Sequence, residues 1–222
     1  MPTNPAGAAN YGASDASERQ REIIAVAMDA FYRLGFGSAS IRDIASEIRF
    51  TQAAIYYHFR NKEEILFAII DGFTNFLHAT LEKAFSASSD PARGLRDAMR
   101  THILLAESHF RETKLVIEEK RSLIPAHRAI ITEKENAIYH LYKSRIAALI
   151  RSRRARRVDA SAATFALFGV INYFYHWFRP GGRLKLERLA GDSIEVLLDG
   201  LLLADPKPAP AGRRPATARK SG

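Results

Sequence analysis

Residues 40–62 read SIRDIASEIRFTQAAIYYHFRNK, and this stretch decides what the chain folds into. Ser40 stands three residues before Asp43, so a hydroxyl and a carboxylate are both available to the exposed amides of a first helical turn. A short helix is expected from Ile41 to about Ile48, with Ile41, Ile44, Ala45 and Ile48 at the three-and-four spacing that lays one apolar stripe against a core. Thr51 offers a second N-cap, and behind it the pattern turns Ala54, Ile55 and Phe59 inward and Gln52, Tyr56 and Tyr57 outward. Helices this short do not stand alone. Joined by a tight turn they make a helix-turn-helix, whose second helix enters the DNA major groove while the first crosses the backbone.

Outward from this stretch the chain reads as helix throughout, so the expected class is all-α with about nine helices. Residues up to Ala16 are rich in Ala, Gly, Pro and Asn and are expected to form a mobile arm. Ser17 with Gln20 makes a capping box for a first helix that ends at Gly35, with Ile23, Ile24, Ala27, Phe31 and Leu34 on its inner face. Gly35 and Gly37 lack the third glycine of a dinucleotide loop, so they read as a turn. Asn61 and Glu64 cap a fourth helix reaching about Phe85, long enough to leave the reading unit and act as a lever from a second domain. Asp90-Pro91 opens a helix to about His109; a shorter one is expected around Lys114 to Ser122, broken by Pro125, and a long one from Ala126 to Arg153. Ala160 to Phe178 carries no charged residue, but Ser161, Thr164, Asn172 and His176 interrupt it, so it reads as a helix buried on two sides rather than a bilayer span. Leu186 to Leu203 is the last helix, with Gly191 and Gly200 expected to allow close approach.

With 222 residues and 47% hydrophobic content the chain has room for a small domain and a larger one, each with its own core. The absence of cysteine excludes disulfides and thiolate metal sites, and the first residues have neither a basic end nor an apolar run, so a cytoplasmic setting without membrane attachment is expected. The formal charge of +9 does not come from the reading unit, since the segment up to Phe85 holds slightly more acids than bases. It comes from Arg151, Arg153, Arg154, Arg156 and Arg157, and from Lys207, Arg213, Arg214, Arg219 and Lys220 in a Pro/Ala-rich tail. His102 and His109 have no third ligand at metal spacing, and Glu118-Glu119 and Glu133/Glu135 have no nucleophile beside them. No metal, cofactor or enzymatic activity is therefore expected.

IRDIASE, then Thr51, then AIYYHFRNKEEIL from Ala54 to Leu66 resembles the TetR family of transcriptional regulators. The resemblance implies that Thr51, Gln52, Ala53 and Tyr56 face the bases, and that Ser40, Tyr57, His58 and Lys62 hold phosphates, with Arg42 in the same DNA-facing set. The chemistry agrees: hydroxyls and amides bond base edges or phosphate, and an alanine or tyrosine ring can touch a thymine methyl. One departure is Arg49, which stands where the family has glycine; a left-handed backbone there costs roughly 1 kcal/mol, and the same side chain is placed to reach a phosphate.

The resemblance also implies an effector-binding second domain and a twofold dimer. Phe73, Phe76, Leu77, His102, Leu105, His109, Phe165, Phe168, Asn172 and Tyr175 supply apolar walls with a few polar groups, as ligand cavities do. A filled helical core would use the same residues. Phe174, Trp177, Phe178, Ile194, Leu197, Leu198 and Leu201, on the last two helices, are the expected dimer face. The segment from Trp177 to Leu184, with its W-F-R-P-G-G core, is similar to the C-terminal part of TetR-type regulators of lipid and sterol catabolism, several of which respond to acyl-CoA thioesters; Pro-Gly-Gly is equally a helix stop.

The expected organisation is an arm (1–16), a helix-turn-helix domain (17–61), an effector-binding and dimerisation domain (62–204) and a disordered basic tail (205–222). The expected function is that of a dimeric regulator, a repressor, that binds a near-palindromic operator and releases it on binding a small effector, with acyl-CoA as one class. A helical acyl-CoA-binding protein or enzyme without DNA binding is the alternative.

Overall fold

In the computed structural model the described residues are 17–177 and 185–202, without the side chains of Tyr175 and Trp177. The expected arm, the turn from Phe178 to Leu184 and the basic tail lie outside them, as do Phe178 and the side chains of Tyr175 and Trp177 as site residues.

The described residues hold nine α-helices: α1 Glu18–Leu34, α2 Ile41–Glu47, α3 Gln52–His58, α4 Lys62–Ser86, α5 Pro91–Ser108, α6 Phe110–Glu119, α7 Pro125–Arg151, α8 Ala160–Trp177 and α9 Leu186–Leu201. Their starts are where the caps predicted them. Ser17 and Gln20 form a reciprocal capping box at α1, Ser40 and Asp43 another at α2, Thr51 caps α3, Asn61 caps α4, and Asp90 caps α5 with proline in the first turn. Two starts differ. α6 begins at Phe110, four residues early, because only His109 interrupts the helical backbone after α5; its amide still bonds Leu105 O at 2.8 Å and its carbonyl takes Thr113 N at 3.0 Å. Pro125 does not stand outside the helices but opens α7, where its missing N–H has no intrahelical partner to lose.

Two cores share the chain. The first gathers α1 to α3 and the first two turns of α4 around Phe31, Ile44, Ile55, Leu66 and Ile70, and it also takes in Leu115 of α6, Leu123 just before α7 and Ile131 within it. The second joins the far half of α4, through Leu81 and Phe85, to α5, α7, α8 and α9. α4, about 37 Å long at 1.5 Å per residue, thus belongs to both, and α6 and the start of α7 are packed onto the reading unit. Gly94 makes the crossing of α4 and α5 close: a Cβ there would sit 2.7 Å from Phe85 O.

The last two helices correct the expected dimer face. Phe174, Ile194, Leu198 and Leu201 are buried in their own subunit's core, Phe174 at 0% exposure. The leucine stripe of α9 is the stripe that packs inward on α5, so it is not available to a second copy; Leu197 is half-buried beside it. The apolar and small residues left outward are Ala162, Phe165, Ala166, Gly169 and Tyr173 on α8 and, among exposed Asp192, Glu195 and Asp199, Val196 and Gly200 on α9, with Phe165 64% and Val196 77% exposed. Gly191 and Gly200 approach nothing within 4 Å in one subunit. No described helix is long and apolar enough to cross a membrane.

Candidate DNA-reading surface and effector cavity

α2 and α3 meet through a helix end of fixed geometry. Phe50 N bonds Ala45 O at 3.0 Å around Arg49, whose φ is 55°, a left-handed residue at the position that favours glycine. The strain expected at this turn is therefore present. Arg33 ties α1 to the last turn of α2 through Glu47 and to its own helix through Asp29. The Ser40 hydroxyl and amide both donate to Asp43 Oδ2, at 2.6 and 2.9 Å, and hold that carboxyl below the usual aspartate range.

On this frame Ile55 and Phe59 are buried, while Arg42, Thr51, Gln52, Ala53, Tyr56 and Tyr57 are exposed on one side. Tyr57, at 86% exposure, is not a core-edge aromatic. Its ring meets that of half-buried His58 edge-on, with centroids 5.1 Å apart. Lys62 departs from expectation. Its ammonium donates to the carbonyls of Phe36, Gly37 and Ala39 at 2.7, 3.1 and 2.9 Å and lies 4.7 Å from the Phe36 ring centroid. All three of its donors close the α1–α2 loop, so it positions the reading unit and has none left for a phosphate.

The second domain contains a cavity of about 680 Å³ lined by Leu77, His102, Ile138, Phe165, Phe168 and Asn172, with a small annex against Phe73 and Leu105. Of the ten residues expected there, Phe76 and His109 do not line it. Their rings pack against one another at a tilt of 41°, with centroids 5.1 Å apart, on the seam of α4 and α5. Residues the sequence reading missed complete the walls: Val116 and Ile117 of α6, Tyr139 of α7, and at the mouth Lys120, Arg121, Arg128, Glu135 and Asn136. Lys120 and Arg121 form the single 3₁₀ turn after α6, where a basic pair at a helix end reads in sequence only as dipole compensation. Arg128 and Asn136 also border an open trough along α7 with Pro125 and Thr132.

The interior is apolar and uncharged. Desolvation lowers the His102 pKa to about 4, and burial raises the Tyr142 hydroxyl, so both are neutral near pH 7. His102 Nδ1 and Tyr142 Oη are 3.3 Å apart; with Tyr142 donating, the Nε2–H of His102 is left as a donor beside the cavity.

The side of the mouth formed by α7 also reaches the reading unit. One residue before Arg128, the His127 ring stacks on Phe67 at 3.9 Å and its Nδ1 is 3.0 Å from both oxygens of Glu63, in the first turn of α4. Glu63 also accepts from Ile124 N at 2.9 Å, capping α7 from outside. Arg111 bonds Asp29 of α1 at 3.1 Å, and Lys114 lies 4.9 Å from the Tyr32 ring centroid.

Two family models match: the tetR family of bacterial regulatory proteins over residues 23–69, and the tetracyclin repressor-like C-terminal domain over residues 88–201. The chain is similar to the HTH-type transcriptional repressor KstR2 of Rhodococcus jostii (strain RHA1), 23% identical over 190 residues that cover 85% of this chain and 93% of that protein. Among solved structures it is similar to the ketosteroid transcriptional regulator KstR2 of Mycobacterium tuberculosis (TM-score 0.77, 20% identity, 86% of this chain and 99% of that one). It is also similar to AibR in complex with isovaleryl coenzyme A and operator DNA (TM-score 0.75, 27% identity, 81% and 97%). The helix-turn-helix, the helical second domain and these matches together make the chain a member of the TetR family of transcriptional regulators, and not an enzyme.

Proposed function

We propose that the protein is a homodimeric repressor that reads a near-palindromic operator through α3 and is released from it by an acyl-CoA thioester bound in the cavity of the second domain. The observation that carries the effector class is the distribution of charge: a neutral, mainly apolar interior opening through a mouth where Arg121 and Arg128 are exposed beside the Lys120–Glu135 ion pair. A thioester fits this gradient, with its acyl chain inside, its carbonyl near the donor of His102 or the amide of Asn172, and its phosphates at the mouth and along the trough over α7. A free fatty acid bound at the same depth would leave its carboxylate uncompensated where the thioester carbonyl sits. The similarity to AibR, whose structure holds isovaleryl coenzyme A together with operator DNA, supports the same reading.

Operator reading is supported by the exposed set Thr51, Gln52, Ala53, Tyr56 and Tyr57, with Arg42 and Arg49 at its edge for phosphates. The outward face of α8, with Phe165 and Tyr173, is apolar surface that a second copy would cover about a twofold axis, with Val196 and Gly200 of α9 exposed beside the carboxylates of Glu195 and Asp199. Two reading helices would then meet successive major grooves about 34–36 Å apart. Release of about a hundredfold needs a differential affinity near 2.7 kcal/mol between the two states.

The test is a thermal-shift and operator-anisotropy titration with acyl-CoA esters of increasing chain length, against CoA and the free acids. The reading expects stabilisation and operator release by the thioesters, lost on replacing Lys120, Arg121 and Arg128 by glutamine. Equal effects of thioester and free acid, or none from any thioester, would contradict the effector class.

A further inference from the structure

The turn between α7 and α8 carries the densest positive charge among the described residues. Arg151, Arg153, Arg156 and Arg157 are exposed and have no ion pair among the described residues, whereas Arg154 between them bonds Asp90 and Asp159 is occupied in capping α8 through Ala162 N at 2.8 Å. The turn is held rigidly. Arg154 N and Ala155 N both bond Leu149 O, at 2.9 and 3.1 Å, closing the end of α7 around Arg153 in the left-handed region with φ 58°. Arg156 N bonds Leu201 O at 2.8 Å, and buried Ala155 pairs with Leu202 at the end of α9. A solvated charge run has no need of this fixing. Here four guanidinium groups are presented from a backbone anchored to α7, α9 and, through Asp90, to the start of α5.

The turn also lies at the opposite pole from the reading helices. α4 leaves Asn61 beside α3 and ends at Ser86, close before Asp90; α7 leaves Glu63's neighbourhood and ends at Arg151. The end expected to be basic, the helix-turn-helix, is nearly balanced in charge, and the far end is not.

We propose that this turn is a second DNA-binding surface, which holds the phosphate backbone of a duplex other than the operator. Arginine forks suit phosphate, and backbone binding needs charge at fixed positions without any base-reading pocket. A peptide partner would want an apolar anchor site, and a bilayer an apolar wedge; Val158 is the one large apolar side chain exposed on the turn. A protein seated on its operator would thereby draw a second segment of DNA to its far side. The bridging arm of this inference rests on operator binding as proposed above, and its test separates the two.

The full-length protein is compared with a variant carrying R151Q, R153Q, R156Q and R157Q, and with one carrying lysine at the same four positions. First, a protein with Gln52→Ala and Tyr56→Ala, blind to the operator, is titrated with a labelled duplex of unrelated sequence. The expected result is that it still binds, and that adding the four glutamines weakens it at least about tenfold at low salt and flattens the salt dependence. Second, operator duplex on beads is loaded with protein and offered a second labelled duplex. Wild type and the lysine variant capture it; the glutamine variant binds the operator within about twofold of wild type and captures none. Capture by the glutamine variant equal to wild type would overturn the inference. So would binding of phosphatidylglycerol vesicles or polyglutamate, but not duplex, through the four arginines. If operator reading itself fails, the first arm still decides the role of the turn.

Discussion

The two cores of this molecule use apolar residues to opposite ends. The first is closed: Ile44, Ile55, Ile65 and Leu66 are fully buried, and two helices of seven residues each are held in one pose by neighbours from α1, α4, α6 and α7. The second encloses a cavity of about 680 Å³, with Phe165 and Ile117 left partly in solvent at its edge. The contrast assigns specificity to the packed end and adaptability to the hollow one. α6 and the first turns of α7 belong to both, since they line the cavity with Val116 and Arg128 and the first core with Leu115 and Ile131.

The contrast breaks most visibly under truncation. Ile44→Ala should cost about 2–5 kcal/mol of stability in urea denaturation and abolish operator binding, because its site cannot collapse. Ile117→Ala, at the cavity edge and 40% exposed, should by contrast cost under about 1 kcal/mol and alter effector affinity. Equal costs would mean that the second core is not hollow in solution. Next, Glu63→Ala removes the acceptor of His127 and Ile124 N. Effector binding should persist while the release it causes shrinks from about a hundredfold to a few-fold, near 2 kcal/mol of lost coupling, read by anisotropy with and without ligand. Gln52→Ala or Tyr56→Ala should each lower specific operator affinity by about 1–3 kcal/mol and leave thermal stability unchanged. Loss shared equally by an unrelated duplex would remove them from the bases.

Smaller effects sharpen the picture. Arg49→Gly and Arg153→Gly each relieve a left-handed residue and should stabilise the fold by about 1 kcal/mol. Only Arg49→Gly should also weaken operator binding and lower its salt slope by about one. The His102 pKa of about 4 gives a signed pH dependence. The unfolded chain takes up its proton near pH 6.5 and the folded chain does not until about pH 4, so stability falls as pH drops through that window. Burial shifts His109 the same way, whereas Asp43 and Asp90 are lowered and lose their contributions only in more acidic solution. Urea midpoints of His102→Gln and His109→Gln between pH 7.5 and 5 should each show a weaker decline than wild type.

The reading end was legible because its signals are local. Ser40, Thr51 and Asn61 each act on an amide three residues away, and the sides of α2 and α3 follow from spacing. Lys62 was misassigned because its partners, the carbonyls of Phe36 to Ala39, lie more than twenty residues back in the chain. In the second domain spacing shows that a helix has an apolar side but not which neighbour takes it. The α9 leucines were therefore assigned to a partner copy when they face α5, and Phe76 and His109 to a cavity they only adjoin. The basic mouth was missed because Lys120, Arg121 and Arg128 come from two elements that meet only in three dimensions.

The central claim, that α3 is presented as a DNA-reading helix, is tested most directly by selecting duplexes from a random pool on the full-length protein and on its Gln52→Ala, Tyr56→Ala double variant. The account predicts that the wild-type protein enriches one near-palindromic sequence whose half-sites are one or more helical turns apart, and that the variant enriches none. Failure of the wild-type protein to enrich any sequence, or enrichment of the same sequence by the variant, would contradict it.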